Sequence, residues 1–192
     1  MGHTVNKKIL ILFTLLFALL LSGCAGREDV VEETEAYKIT RVAASGGTGW
    51  EYRYCLFDCD HRIVREETNV RCPHISVGDD GLVMVTVQAG TGIGTQWGYF
   101  YDRNTDTFSK VFYSIFDVCG GRVAHGEGGK VVVRDIFDDK GYYTELSDFP
   151  LGLSATADPV TGACFEADGQ RITVFYLTGE DARKVSQTFD LH

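Results

Sequence analysis

Five soft donors fall within the twenty residues 55–74: Cys55, Cys59, His61, Cys72 and His74. Thiolate and imidazole are ligands that zinc prefers, and structural zinc sites space them in tight, recurring patterns. The order here, Cys-x3-Cys-x-His and then Cys-x-His, matches no common finger. Strand alternation would set Cys72 and His74 on one face, while Cys59 and His61 belong to a turn. The expectation is therefore buried or paired cysteines and no metal. A second cation candidate is Asp102-Arg103-Asn104-Thr105-Asp106-Thr107, which opens like a calcium loop with oxygens at alternate positions. Thr107 stands where such a loop needs glycine and Tyr113 where it needs glutamate, so an EF-hand is excluded. A polar hairpin turn, closed by Asp and Asn side chains, is expected instead.

Nothing in the sequence assembles a catalytic apparatus. Gly90, Gly92 and Gly94 form a glycine-rich stretch that fits neither the dinucleotide nor the Walker pattern, and a strand follows it where a phosphate cradle needs a helix. It is expected to be an inter-strand loop at the edge of a ligand site. Ser154, in Gly152-Leu153-Ser154-Ala155-Thr156, lacks the second glycine of a nucleophile elbow. No motif ties His61, His74 or His125 to a nucleophile, and no carboxylate pair stands out. No catalytic residue and no cofactor are expected.

Two aromatic stripes share the pattern Trp-x-Tyr-x-Tyr: Trp50, Tyr52 and Tyr54, then Trp97, Tyr99 and Tyr101. Rings on one face of a strand can stack on sugars or anchor a protein. Trp50, Tyr52 and Tyr54 are thus the ligand-binding candidates, together with the glycine loop. The competing expectation is that both stripes face the core, with the rings of Trp50 and Trp97 largely inside.

The elements that must carry these residues are strands. From Tyr37 onward the apolar period is two, in runs of four to eight residues cut by Gly, Asp and Asn clusters. Runs at 37–43, 50–57, 63–68, 82–88, 97–101, 108–116, 122–125, 130–136, 163–166, 171–177 and 185–191 predict an all-β domain. Aromatic-Asp steps at Asp58, Asp102 and Asp138 lie 44 and 36 residues apart, and a fourth turn follows at Gly179. Four hairpin-pair units of roughly 40 residues suit β-propeller-like blades, with those aspartates at equivalent corners; a β-sandwich or barrel is the alternative.

The first 36 residues follow a different logic. Lys7 and Lys8 precede the apolar run Ile9–Leu21, which is too short to span a bilayer and suits a signal-peptide core. It ends in Leu21-Ser22-Gly23-Cys24, which resembles a bacterial lipobox. That resemblance implies cleavage before Cys24 and lipidation of its thiol. The expected organisation is a signal peptide over 1–23, a lipidated acidic tether over 24–36 and one all-β domain over 37–192. Cleavage would remove two of the 18 basic residues and none of the 27 acids, leaving a chain of net charge −11. Anionic headgroups repel such a domain, so the lipid must hold it at the membrane, and nucleic acid is excluded as a partner.

Trp97-Gly98-Tyr99-Phe100-Tyr101-Asp102, Phe108-Ser109-Lys110-Val111-Phe112 and Val133-Arg134-Asp135-Ile136-Phe137-Asp138 resemble segments of small, uncharacterised lipoproteins of Gram-positive anaerobic bacteria. That family implies an envelope location and no known activity. The expected function is a lipid-anchored, non-enzymatic module on the extracytoplasmic face of the cell membrane, binding an envelope glycan or a partner protein. The alternative is an exported hydrolase built from scattered acids.

Overall fold

The computed structural model describes residues 28–45, 47–88, 96–147, 149, 160–179 and 181–192. Among them every helix or strand is a strand, as the period-two pattern predicts, and the strands form four antiparallel sheets, each built from consecutive segments. Sheet A runs β1 (Asp29–Glu33), β2 (Tyr37–Ala43), β3 (Trp50–Phe57), β4 (Ile63–Asn69). Sheet B runs β5 (His74–Val77), β6 (Leu82–Gln88), β7 (Gln96–Asp102), with an edge strand in two pieces, β8 (Thr107–Phe108) and β9 (Phe112–Tyr113). Sheet C runs β10 (Ile115–Cys119), β11 (Arg122–Glu127), β12 (Lys130–Asp135), β13 (Tyr143–Leu146). Sheet D has three strands, β14 (Val160–Phe165), β15 (Arg171–Thr178) and β16 (Arg183–Asp190).

Three departures from the sequence reading have physical causes. The acidic segment read as a solvated spacer contributes β1, because β2 supplies partners for its acids: Lys38 pairs with Glu33 at 3.1 Å, and the Tyr37 hydroxyl donates to Glu32 at 2.6 Å. Thr34 closes the turn between them by accepting the Ala36 and Tyr37 N–H groups. The short strands β5 and β13 carry too few residues for alternation to announce them.

The run at 108–116 is not one strand. The Ser109 hydroxyl accepts the Phe100 N–H at 2.8 Å, a side chain standing where the ladder would continue. Ser114, at φ 48, then swings the chain from sheet B to sheet C. Its N–H donates to Gln96 of β7 and its carbonyl accepts the Gly126 N–H of β11, so one residue is shared by two sheets.

The aspartate corners repeat as expected. Asp58 and Asp138 stand between the third and fourth strands of sheets A and C, and Asp102 is the last residue of the third strand of sheet B. In each, Oδ1 accepts the N–H two residues on, from Asp60, Asn104 and Lys140, all at 2.9 Å. This local bond is why Asp recurs there. Arg103, beside the second corner, reaches across to the carbonyls of Phe57, Asp58 and Glu35 and ties sheet B to sheet A.

Each sheet packs on the next in sequence. Tyr37, Ile39, Tyr54 and Leu56 of sheet A are buried against Val83, Val85, Tyr99 and Tyr101 of sheet B. Phe100 and Phe112 of sheet B meet Val123 of β11 and Ile136, which follows β12. Ala124, Val131 and Val133 of sheet C are buried against Ile172, Val174 and Tyr176 of sheet D. Gly98 is the close-approach point on β7: a Cβ there would lie 2.4 Å from the Val85 carbonyl and 2.9 Å from Ile115.

Candidate functional site

The aromatic stripe of β3 is not a continuous exposed row. Tyr54 is fully buried, and its hydroxyl donates to Glu67 at 2.6 Å while lying 3.0 Å from the Tyr99 hydroxyl. Burial holds the Tyr54 phenol far above its ordinary range and pushes Tyr99 up to about 12. Arg65 lies over the Tyr99 ring at 4.1 Å and forms an ion pair with Glu67. Tyr54 therefore belongs to a tyrosine network locking sheet A to sheet B, and it is withdrawn as a stacking residue. Tyr52 is half-buried against the same core. Trp50 is 42% exposed, which corrects the expectation that its ring lies inside, and the Arg41 guanidinium covers one ring face at 4.4 Å. In the second stripe Tyr99 and Tyr101 are buried and Trp97 is half-buried, as expected of a core-facing row.

The soft donors separate. The Cys55 thiol points at Glu66, and Cys59 donates to the Arg103 carbonyl at 3.3 Å. His61 sits in the β3–β4 turn at φ 60. Cys55, Cys59, Cys72, Cys119 and Cys164 are all free thiols, and Cys59, Cys72 and Cys164 are exposed, so the expectation of buried or paired cysteines fails for these three. Among the described residues no group of three or more His, Cys, Asp or Glu side chains is placed to hold a metal ion. The Asp102 turn is closed on itself. Asp102 also accepts the Thr105 hydroxyl, which lowers its carboxyl pKa; Asp106 accepts the Tyr101 hydroxyl; and Asn104 donates to the Asp80 carbonyl.

Cys72 and His74 are the two donors that do come together, at the rim of a cleft. This cleft, of about 560 Å³, opens between one end of sheet B and the first strands of sheets C and D, β10 and β14. Sheet B lines it with His74, Thr86, Gln88 and Gln96; Ser114 forms the joint; Ile115 and Phe116 come from β10, and Thr161 and Gly162 from β14. Thr86 and Thr161 are anchored by donating to the carbonyls of His74 and Phe175. Although Cys72 is exposed, partial desolvation raises its thiol pKa, and the Glu32 charge acts the same way.

The cleft chemistry is neutral. Amides and hydroxyls both donate and accept, the Phe116 ring gives an apolar wall, and among the described residues no carboxylate, lysine or arginine lines it. Such a lining suits a ligand rich in hydroxyl or amide groups. Gly90, Gly92 and Gly94 lie outside the described residues, as do Cys24 and Ser154. The strands that flank the glycine loop nevertheless end at Gln88 and Gln96, both in the cleft wall. The sequence reading missed this cleft because its residues come from three sheets, and no local motif joins Gln96 to Thr161.

No protein-family model matches the chain, and no curated protein sequence matches it.

Proposed function

We propose that the protein is a lipid-anchored, non-enzymatic binding module on the extracytoplasmic face of a bacterial membrane, and that its ligand is a neutral envelope glycan. The observation that carries this reading is the neutral, three-sheet cleft with its two unclaimed amides. Among the described residues, no hydrogen bond engages the side chain of Gln88 or Gln96, so their donors and acceptors are available to a sugar. A partner protein would favour a broad apolar anchor surface, whereas this cleft is concave and polar.

The membrane attachment rests on the Leu21–Cys24 lipobox and the acidic balance of the rest of the chain. The propeller-like arrangement is part of the same proposal. Sequential sheet packing and the equivalent corner aspartates support it.

Titration of the full-length protein with cell-wall glycan fragments tests the ligand. Binding is expected, and Gln96→Ala should weaken it at least about tenfold, the loss of one well-made polar contact. Failure of every neutral glycan to bind, or a Gln96→Ala variant that binds equally well, would refute the reading.

A further inference from the structure

Among the described residues, strand β16 is paired on one edge only. It is the last strand of sheet D, eight residues long, and it pairs with β15 without a register shift from Arg183 to Asp190. The other outer strands among the described residues are protected differently. β1, β4, β10 and β14 carry bulges, β8 and β9 are two short pieces, and β5 and β13 have four residues each. Bulges, brevity, proline and edge charges keep a sheet edge from pairing with another chain; β16 has no bulge and no proline, and its outward-row charges, Lys184 and Asp190, are opposite in sign and so can pair with each other across copies.

The outward groups follow from the ladder. Leu191 donates its N–H to Gln170, so Asp190 opposite Arg171 is a non-hydrogen-bonded pair, and alternation continues back along the strand. The N–H and carbonyl groups of Lys184, Ser186, Thr188 and Asp190 therefore point away from β15. The same four side chains share the sheet face that carries Arg171 and Phe175.

We infer that β16 pairs antiparallel with β16 of a second copy of this chain, about a two-fold axis through Gln187. A two-fold antiparallel pair must match residues of the same face, so it centres on a residue and not between two. Centring on Gln187 sets Lys184 opposite Asp190 of the second copy and Ser186 opposite Thr188. These are the residues with outward backbone groups, so every such pair is hydrogen-bonded. It also sets Val185 against Phe189, two half-buried apolar side chains. Charge, hydrogen bonding and apolar contact agree on one register. The product is a continuous six-stranded sheet.

Sedimentation of the detergent-solubilised full-length chain tests the pairing. A reversible dimer is expected. Thr188→Pro removes an outward N–H without removing a bond to β15, and it should leave a monomer. Lys184→Asp and Asp190→Lys each turn two cross-strand attractions into repulsions and should weaken the dimer about tenfold, while the double exchange restores it. Gln187→Cys should form an intermolecular disulfide on mild oxidation, because Cα atoms in a non-hydrogen-bonded pair stand about 4.5 Å apart, within disulfide reach. Ser186→Cys, whose two-fold copies stand two residues apart along the strand, should not. A wild-type chain that stays monomeric at all concentrations would overturn the inference. So would a double exchange that fails to restore association, or a Ser186→Cys chain that cross-links as readily as Gln187→Cys.

Discussion

Replacing His125 by phenylalanine should make the protein more stable and remove much of its sensitivity to acid. His125 lies on β11, 5% exposed, with its ring edge-on to Phe112 at 5.2 Å, and neither ring nitrogen makes a hydrogen bond of ordinary geometry. Burial lowers its pKa below the ordinary 6.5; Glu127 and the Gly126 backbone favour the proton, while Arg134 and Lys110 oppose it. The unfolded chain therefore takes up a proton near pH 6.5 while the folded protein does not. Stability attributable to this group is present above pH 6.5 and is lost as pH falls below it. Leaving a buried polar group unpaired costs about 1–3 kcal/mol, and the slightly larger ring gives back up to about 1 kcal/mol through crowding. The net gain for His125→Phe is about 1–2 kcal/mol at pH 7.5, and larger at pH 5.5. Urea unfolding at the two pH values, followed by tryptophan fluorescence, measures both. A variant less stable than wild type at pH 7.5, or one keeping the full acid dependence, would refute the reasoning.

Three further outcomes are expected. Gly98→Ala should destabilise the protein by about 1–3 kcal/mol in thermal unfolding, since its methyl would meet the Val85 carbonyl at 2.4 Å and a backbone atom cannot rotate aside. Trp50→Ala should cost no more than about 1 kcal/mol, whereas Trp97→Ala, packed against the sheet A–B core, should cost about 3 kcal/mol, as chemical denaturation would show. In alkaline titration by ultraviolet absorbance, Tyr37 and Tyr99 should ionise near pH 12, so the folded state loses stability as pH rises above 10 and the unfolded tyrosines ionise.

What the sequence made legible was whatever one strand or one turn decides by itself. Alternation placed β2, β3 and β6 at their observed bounds, because each presents apolar residues to a core on one face. The Asp58, Asp102 and Asp138 corners were legible because an aspartate closing its own turn needs no distant partner. Trp50 was misjudged because the stripe runs off the end of the packed interface, so burial declines from Tyr54 to Trp50 although the alternation does not change. β1 was hidden because its acids are satisfied by Lys38 and Arg41, which only pairing brings near. The cleft was illegible for the same reason on a larger scale, since three sheets must assemble before it exists.

The buried clusters differ in size, and that has a mechanical consequence. Among the described residues, eleven buried ones join sheets A and B, and twelve form the cluster of sheets C and D, but four join sheet B to sheet C. The molecule is thus two well-glued halves meeting at a thin joint, with Ser114 as its peptide-bonded pin. Where sheets are coupled mainly to their neighbours, the weakest coupling breaks first. Under tension or mild denaturant the halves should part before either melts, and amide exchange at Ser114 and Gly126 should outpace exchange at Tyr54 or Val174. The cleft spans this joint, so a ligand seated in it would act as a rivet.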